Sequence, residues 1–259
     1  MAARLRQVVL LAAGMGTRLG TLNGGRPKAL LSVAGRTLLE RALDYAEALD
    51  AEERIVVGGF GFALLSEQLE RASRPAVRLL ENPEYRLGNL RTLETALPWI
   101  TGSFLLMNID HIYPRPVALR VSQAFAGNRI AACCDYDRAL GPDDMKIELG
   151  EVGEVGEARS GGGEQDKRVV RIAKTLAEYQ CGYVGMTFVP EEKLARYQIA
   201  VAATARQHGD PATVEQVLQR LADDGEQVTT CDISGIGWYE VDDPADYARA
   251  VAGLGSFAS

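Results

Sequence analysis

The sequence predicts an α/β fold, with helices on both faces of a mixed, mostly parallel sheet. Three observations carry that reading. Short apolar runs alternate with longer amphipathic stretches along the first half of the chain. The runs are apolar at successive positions, as in strands buried on both faces. The first run, Val8-Val9-Leu10-Leu11, ends in two glycines one residue apart, Gly14 and Gly16. Open α/β sheets bind ligands at such strand ends.

Gln7–Ala12 reads as the first strand. Thr37-Leu38-Leu39-Glu40 has the spacing of a capping box and opens an amphipathic helix to about Leu49. Arg54–Gly58 is a second strand, and Phe62–Ala72 a helix with Leu64, Leu65 and Leu69 on one side. Val77–Leu80 is a short strand. Asn89–Ile100 is a helix with Pro98 near its end, and Phe104–Asn108 an apolar strand that runs into Asp110. In the second half, Ile130–Cys134 is a strand, and Met145–Leu149 and Arg168–Ile172 form the arms of a hairpin. Gly150–Lys167, with Gly161-Gly162-Gly163 at its middle, is expected as a mobile surface loop between those arms. Tyr183–Phe188, Val228–Asp232 and Trp238–Val241 read as strands. Glu191–Gln207, Thr213–Asp223 and Asp243–Val251 read as helices. No internal repeat or linker divides the chain, so the second half is expected to extend the same sheet.

The 259 residues fit one large domain with a real core. Net charge is −7, from 28 Lys and Arg against 35 Asp and Glu, which gives no support to a nucleic-acid or membrane-surface partner. No apolar stretch approaches the ~20 residues of a bilayer span. Met1 to Gln7 lacks the pattern of a secretory leader, so a cytoplasmic protein without membrane insertion is expected. Cys133, Cys134, Cys181 and Cys231 form no C-x-x-C pair and read as buried, reduced thiols. Two histidines, His111 and His208, are too few for a histidine-rich metal site.

Glycines let a backbone approach a ligand closely, and successive N–H groups in such a turn attract anions. Arg18 and Lys28 add full charges beside the turn, a combination suited to a triphosphate. A dinucleotide fingerprint would need a third glycine at position 19, which is Leu19. It would also need an acid at the end of the second strand, where the chain has Gly58-Gly59-Phe60. The Gly-Lys-Ser/Thr of a Walker P-loop is absent.

Gly14-Met15-Gly16-Thr17-Arg18-Leu19, followed by Pro27-Lys28-Ala29-Leu30, resembles the signature of the sugar-phosphate nucleotidylyltransferase superfamily. Gly88-Asn89-x-x-Thr92-Leu93-x-x-Ala96 and Met107-Asn108-Ile109-Asp110-His111-Ile112-Tyr113 resemble a narrower branch. That branch is the inositol-1-phosphate cytidylyltransferases, with phosphocholine cytidylyltransferases nearby. Trp238-Tyr239-Glu240-Val241-Asp242 is similar to the family's C-terminal acidic motif. The likeness spans most of the chain and is strongest to about Tyr113. It implies a Rossmann-like three-layer sandwich of the nucleotide-diphospho-sugar transferase type. A single domain over 1–259 would then bind nucleotide in its half to about 113 and acceptor from about 114. The implied reaction is Mg²⁺-dependent transfer of CMP from CTP to a small phosphorylated alcohol, inositol 1-phosphate favoured, with release of pyrophosphate.

Both partners in such a transfer are anions, so a divalent cation is a natural bridge, and Mg²⁺ prefers one or two carboxylates plus phosphate oxygens. Asp110 and Asp242 each follow an apolar strand, and the resemblance implies that they share one Mg²⁺. Asp110 would otherwise be a turn or cap residue; beside Asp242, Asp243 before Pro244 has the look of a plain N-cap. Arg18 is expected on the β- and γ-phosphates, where a planar fork is useful, and Lys28 on the α-phosphate. The attacking phosphate is already ionised, so catalysis needs positioning and charge neutralisation rather than a protein nucleophile or base.

Leu11, Ala12, Ala13, Gly14, Met15, Gly16 and Thr17 are expected around the nucleotide, with Ala13 and Gly14 offering backbone groups to the base. Asn82, Gly88 and Asn89 would line its other edge, although Asn89 equally suits an N-cap. His111 orients Asp110, touches the acceptor, or simply packs. Lys174, in Ile172-Ala173-Lys174, matches a family lysine near the acceptor phosphate, and Lys146 is its rival; both equally fit solvated strand lysines. A phosphocholine or sugar-1-phosphate nucleotidylyltransferase is the nearby alternative. A nucleotide-binding regulatory protein without catalysis is the alternative from another class, and the intact Arg18, Lys28, Asp110 and Asp242 weigh against it. Base, acceptor and oligomeric state stay open at this level.

Overall fold

A computed structural model describes residues 5–151 and 167–256. In chain order its elements are β1 (Gln7–Ala12), β2 (Ser32–Val33), β3 (Arg36–Thr37), α1 (Leu38–Ala48), β4 (Glu53–Gly58), α2 (Phe62–Ala72) and β5 (Val77–Glu81). There follow α3 (Asn89–Ala96), β6 (Phe104–Asn108), β7 (His111–Ile112), α4 (Arg115–Ala124), β8 (Ala131–Asp135), β9 (Lys146–Glu151) and β10 (Lys167–Ala173). The chain continues through β11 (Cys181–Val189), α5 (Leu194–His208), α6 (Val214–Asp223), β12 (Thr229–Asp232), β13 (Tyr239–Glu240) and α7 (Pro244–Ser256).

The expected strands and helices recur with small shifts at their ends. The capping box on α1 is complete: Thr37 Oγ1 accepts the Glu40 N–H at 3.1 Å, and Glu40 Oε2 accepts the Thr37 N–H at 2.8 Å. Such a cap is worth about 1 kcal/mol. The helix expected over Asn89–Ile100 stops at Ala96 and gives way to a 3₁₀ turn, Leu97–Trp99, because Pro98 has no N–H to continue the ladder. The closing helix runs past Val251 to Ser256. Three features go beyond the sequence reading, the first being the short antiparallel pair of β2 with β3. Helix α4 starts with Pro116 in its first turn, where proline is tolerated, and buries Val117, Ala118 and Val121. The ribbon of β7 with β13 is only two residues deep. Apart from its strand-forming ends, the expected loop Gly150–Lys167 lies outside the described residues.

One sheet of nine strands holds the molecule together, in the order β10-β9-β11-β6-β1-β4-β5, with β8 also on β11 and β12 on β8. It is mixed. β5, β4, β1 and β6 run parallel, β8 and β12 form a second parallel pair, and β11 is antiparallel to β6, β8 and β9. Along β11 one neighbour changes. Cys181 and Gly182 pair with β9, whereas Met186 to Val189 pair with β6. Gly185 lies at the change with φ +75°, and the register against β8 shifts there. A bulge of this kind bends a strand and re-aims its neighbours.

Core residues fall into three clusters. One covers the sheet face under α1 and α4 (Leu39, Leu43, Val117, Val121), and a second the face under α3, α5 and α6 (Leu90, Leu93, Tyr197, Val217). The third joins Leu19, Leu31, Val33, Leu38, Ile112, Val241 and Ala250, and so fastens the segments after β1, the small ribbon and α7 to one another. All four cysteines are free and buried, as expected. No helix among the described residues is long and apolar enough to cross a membrane.

Candidate active site

The glycine turn leaves β1 at Ala12. Gly16 adopts φ +67°, and a Cβ there would fall 2.9 Å from Leu19 Cδ1, so both backbone and space require glycine. At Gly14 nothing lies within 4 Å of the Cβ position, which leaves that side open to a ligand. Asn23 braces the turn. It is buried, and its amide nitrogen donates to the carbonyls of Met15 (2.9 Å) and Arg26 (3.0 Å). The Lys28 N–H donates to Gly14 O at 3.2 Å and the Phe60 N–H to Ala13 O at 3.1 Å. These bonds use carbonyls of the turn and none of the N–H groups of Gly14, Met15 or Gly16. Asn23 was not anticipated; its one sequence signal is its place before Gly24-Gly25, a turn setting in which Asn is favoured.

Two 3₁₀ turns follow, Thr17–Leu19 and Lys28–Leu30, and each presents one cation. Buried Lys28 donates from Nζ to Asp110 Oδ2 at 2.8 Å and to Asp242 Oδ1. Arg18 Nη2 takes the other oxygen of Asp242, Oδ2, at 2.5 Å. The two acids are brought together by the ribbon, in which Glu240 lies opposite His111 and the Val241 N–H donates to Asp110 O at 2.9 Å. Arg18, Lys28, Asp110 and Asp242, from four separate segments, thus form one alternating cluster of charge.

Burial opposes the charge on Asp110, but the Lys28 ammonium and the His111 hydrogen bond outweigh it and hold the carboxyl well below the usual carboxylate range. Burial likewise disfavours the charged Lys28, and the two carboxylates reverse that and raise its pKa. His111 Nδ1 lies 2.6 Å from Asp110 Oδ1. A carboxylate only accepts, so this nitrogen carries the proton. The bond and charge of Asp110 overcome burial and raise the imidazole pKa. The ring is also packed, stacked on Trp238 (centroids 5.3 Å, planes 11° apart) and near Tyr113. Across from it, a Cβ on Gly185 would sit 2.9 Å from the imidazole.

Among the described residues no group of three or more His, Cys, Asp or Glu is arranged to hold a metal ion. Asp110 and Asp242 converge on a single ammonium, and each keeps about a fifth of its side chain exposed, 22% and 20%. Two such carboxylates would suit Mg²⁺, which prefers one or two carboxylates.

Other expected residues turn out differently placed. Asn82 is buried; its amide donates to Thr92 Oγ1 and accepts from the Glu84 N–H. A Cβ on Gly88 would strike Ala212 O at 2.0 Å. Asn89 does not cap its own helix, whose N-cap is Gly88. Its Oδ1 accepts the Val214 N–H at 2.9 Å and so caps α6 instead. The Asn82 amide and Asn89 Oδ1 thus serve the packing around α3. Lys146 departs from one of its two readings. It is buried, and its ammonium is spent on the carbonyls of Gly141, Asp144 and Lys174, so it anchors loops and is not a solvated strand lysine. Lys174 is exposed at the end of β10.

The fold has close counterparts. The structure of the inositol-1-phosphate CTP transferase from T. maritima superposes with a TM-score of 0.77 at 20% identity, over 98% of both chains. CTP:phosphocholine cytidylyltransferase from Streptococcus pneumoniae gives 0.66 at 19% identity, over 97% of this chain and 99% of that one. In sequence, the chain is 29% identical to a "Bifunctional IPC transferase and DIPP synthase" of Thermococcus kodakarensis, over 94% of this chain and 49% of that protein. The chain spans about half the length of the first curated relatives it matches. Residues 8–150, which carry the glycine turn, Lys28 and Asp110, match the MobA-like NTP transferase domain, and the chain belongs to that family.

Proposed function

We propose that this chain transfers CMP from CTP to a small phosphorylated alcohol, with inositol 1-phosphate the favoured acceptor. The observation that carries the reading is the cluster of Lys28, Arg18, Asp110 and Asp242 beside an open glycine turn. Support for the base and acceptor comes from the resemblance of the motifs and from the name of the T. maritima protein.

In the reaction an oxygen of the acceptor phosphate forms a bond to the α-phosphorus as the bond to the β-phosphate oxygen breaks. Pyrophosphate leaves with that electron pair. Lys28 and Arg18 are neutralised by carboxylates in the free protein, and the nucleotide's phosphate oxygens compete for the same two cations. Lys28 then meets the α-phosphate, where its pull strengthens as negative charge builds. Arg18 offers its fork to the outer phosphates, and the N–H groups of Gly14, Met15 and Gly16 face the nucleotide. Mg²⁺ held by Asp110 and Asp242 would neutralise charge between the two anionic reactants. His111 keeps the Asp110 carboxylate in one orientation. The nucleotide occupies the half to about residue 113 and the acceptor the half beyond, with exposed Lys174 near the acceptor phosphate.

The test is pyrophosphate release with CTP, UTP, GTP and dTTP, each crossed with inositol 1-phosphate, choline phosphate and hexose 1-phosphates. CTP with inositol 1-phosphate is the expected pair. Release from no pair would overturn the enzyme reading, and a UTP preference with a hexose phosphate would move it to sugar nucleotides. Asp110→Asn is expected to abolish turnover while the fold persists.

A further inference from the structure

Among the described residues, two buried charged side chains lie outside the cluster around Lys28: Asp135 and Lys146. Both are spent on the loop between β8 and β9. Asp135 Oδ1 accepts the N–H groups of Asp137 (2.9 Å) and Arg138 (3.1 Å), and its Oδ2 accepts Trp238 Nε1 at 2.9 Å. At the loop's other end Lys146 donates to Gly141 O at 2.8 Å and Asp144 O at 3.3 Å. Leu140 packs between them against Gly182, where a Cβ would meet it at 2.6 Å. Burying ions is costly unless their bonds are met, and here the met bonds fix the shape of one loop.

The side chain set in place by this loop is Arg138. Its guanidinium carbon lies 4.0 Å from the centre of the Trp238 ring. Trp238 stacks on His111, and His111 is bonded to Asp110. Contacts therefore run unbroken from Arg138 to the carboxylate beside Lys28. Its ion pair with Asp144 is long, 3.9 Å, and its side chain is 28% exposed, so guanidinium donors remain for a ligand.

We propose that Arg138 selects the acceptor: it covers a cation-binding face of Trp238, the ring that stacks on His111, admitting a phosphorylated polyol without positive charge and excluding a phosphorylated alcohol that carries an ammonium group. This rests on the transfer reading above and narrows its acceptor. An indole face is the best protein surface for a quaternary ammonium. Here the protein's own cation occupies it, so an incoming ammonium must displace Arg138 or lie against a like charge. A polyol meets the reverse, hydroxyl oxygens that accept from a guanidinium.

The chain has two tryptophans, so a Trp99→Phe background isolates the emission of Trp238. Inositol 1-phosphate is expected to change that emission, and choline phosphate to leave it unchanged at roughly tenfold higher concentration. Arg138→Gln is expected to weaken inositol 1-phosphate roughly tenfold and to admit choline phosphate, whereas Arg138→Lys, which keeps the charge, still excludes it. In turnover with CTP, the ratio of kcat/KM for the two acceptors falls by about tenfold or more in Arg138→Gln, chiefly through KM. Equal binding of both phosphates by the parent, no response to inositol 1-phosphate, or an unchanged ratio in Arg138→Gln overturns the proposal. Failure of CMP transfer to every acceptor would instead overturn the transfer reading, and the fluorescence titrations would still decide the role of Arg138.

Discussion

The Val241 N–H donates to the carbonyl of Asp110 at 2.9 Å, and through this bond two carboxylates far apart in sequence come to share one ammonium. In the proposed reading the same two carboxylates would hold Mg²⁺, and here the Lys28 nitrogen lies between them. Lys28→Met removes that nitrogen and leaves Asp110 and Asp242 without it. Arg18 still pairs with Asp242 and His111 with Asp110, and both carboxylates are partly exposed, so the loss is that of charge-assisted hydrogen bonds, about 1–3 kcal/mol. Added Mg²⁺ is expected to restore part of the loss, since a ligand that binds only the native state stabilises it. Thermal unfolding with and without Mg²⁺ checks this: the upward shift is larger in Lys28→Met than in the parent. Equal shifts would count against a metal role for the acid pair.

Asn23 holds the glycine turn from behind through the Met15 and Arg26 carbonyls. Asn23→Ala leaves both carbonyls without that donor, a loss of about 1–3 kcal/mol. The turn then samples shapes that no longer aim its N–H groups at a phosphate. KM for the nucleotide is expected to rise about tenfold, with a smaller change in kcat. Steady-state kinetics with varied nucleotide at saturating acceptor distinguish the two. A normal KM with lowered thermal stability would reduce Asn23 to a fold residue.

Gly185 tests the packing of His111. Gly185→Ala combines a left-handed backbone, φ +75°, with a Cβ 2.9 Å from the imidazole. Gly209→Ala has a backbone problem alone, φ +65° and ψ −145° with nothing within 4 Å, and is expected to cost about 1–3 kcal/mol with normal turnover. Gly185→Ala is expected to cost about 1–3 kcal/mol more and to lower kcat, because displacement of His111 releases the Asp110 carboxylate. Equal effects of the two variants on turnover would show that His111 does not need its place.

Much of this was legible in the sequence because the signals were local. Buried strands announce themselves as apolar runs, and Thr37 with Glu40 three residues on announces a helix start. Arg18, Lys28, Asp110 and Asp242 could be named from motif and strand-end position, but their mutual contacts depend on a two-residue ribbon too short to have a period. Asn89 and Lys146 show a placement that no local signal carries. Each has chemistry that suits a ligand, and tertiary packing spends it instead, on the N-terminus of α6 and on three loop carbonyls. Helix α4 went unread in the sequence; its start carries Pro116, which a first helical turn accepts.

The α1 cap gives a pH-dependent prediction away from the site. The Thr37 backbone N–H, the largest influence, lowers the Glu40 pKa below its ordinary 4.5, against a partly opposing effect of burial. A carboxyl whose folded pKa is lowered contributes stability above its unfolded pKa and loses it as pH falls through the folded value. Glu40→Gln keeps the side-chain shape and an acceptor for Thr37 but removes the charge. At pH 7 it is expected to be less stable than the parent by about 0.5–1 kcal/mol. The gap should narrow as pH falls from about 5 to about 3, because the parent protonates there and the variant does not. Urea unfolding at several pH values follows the gap directly. A gap that stays constant across that range would mean that the charge on Glu40 adds nothing to the cap.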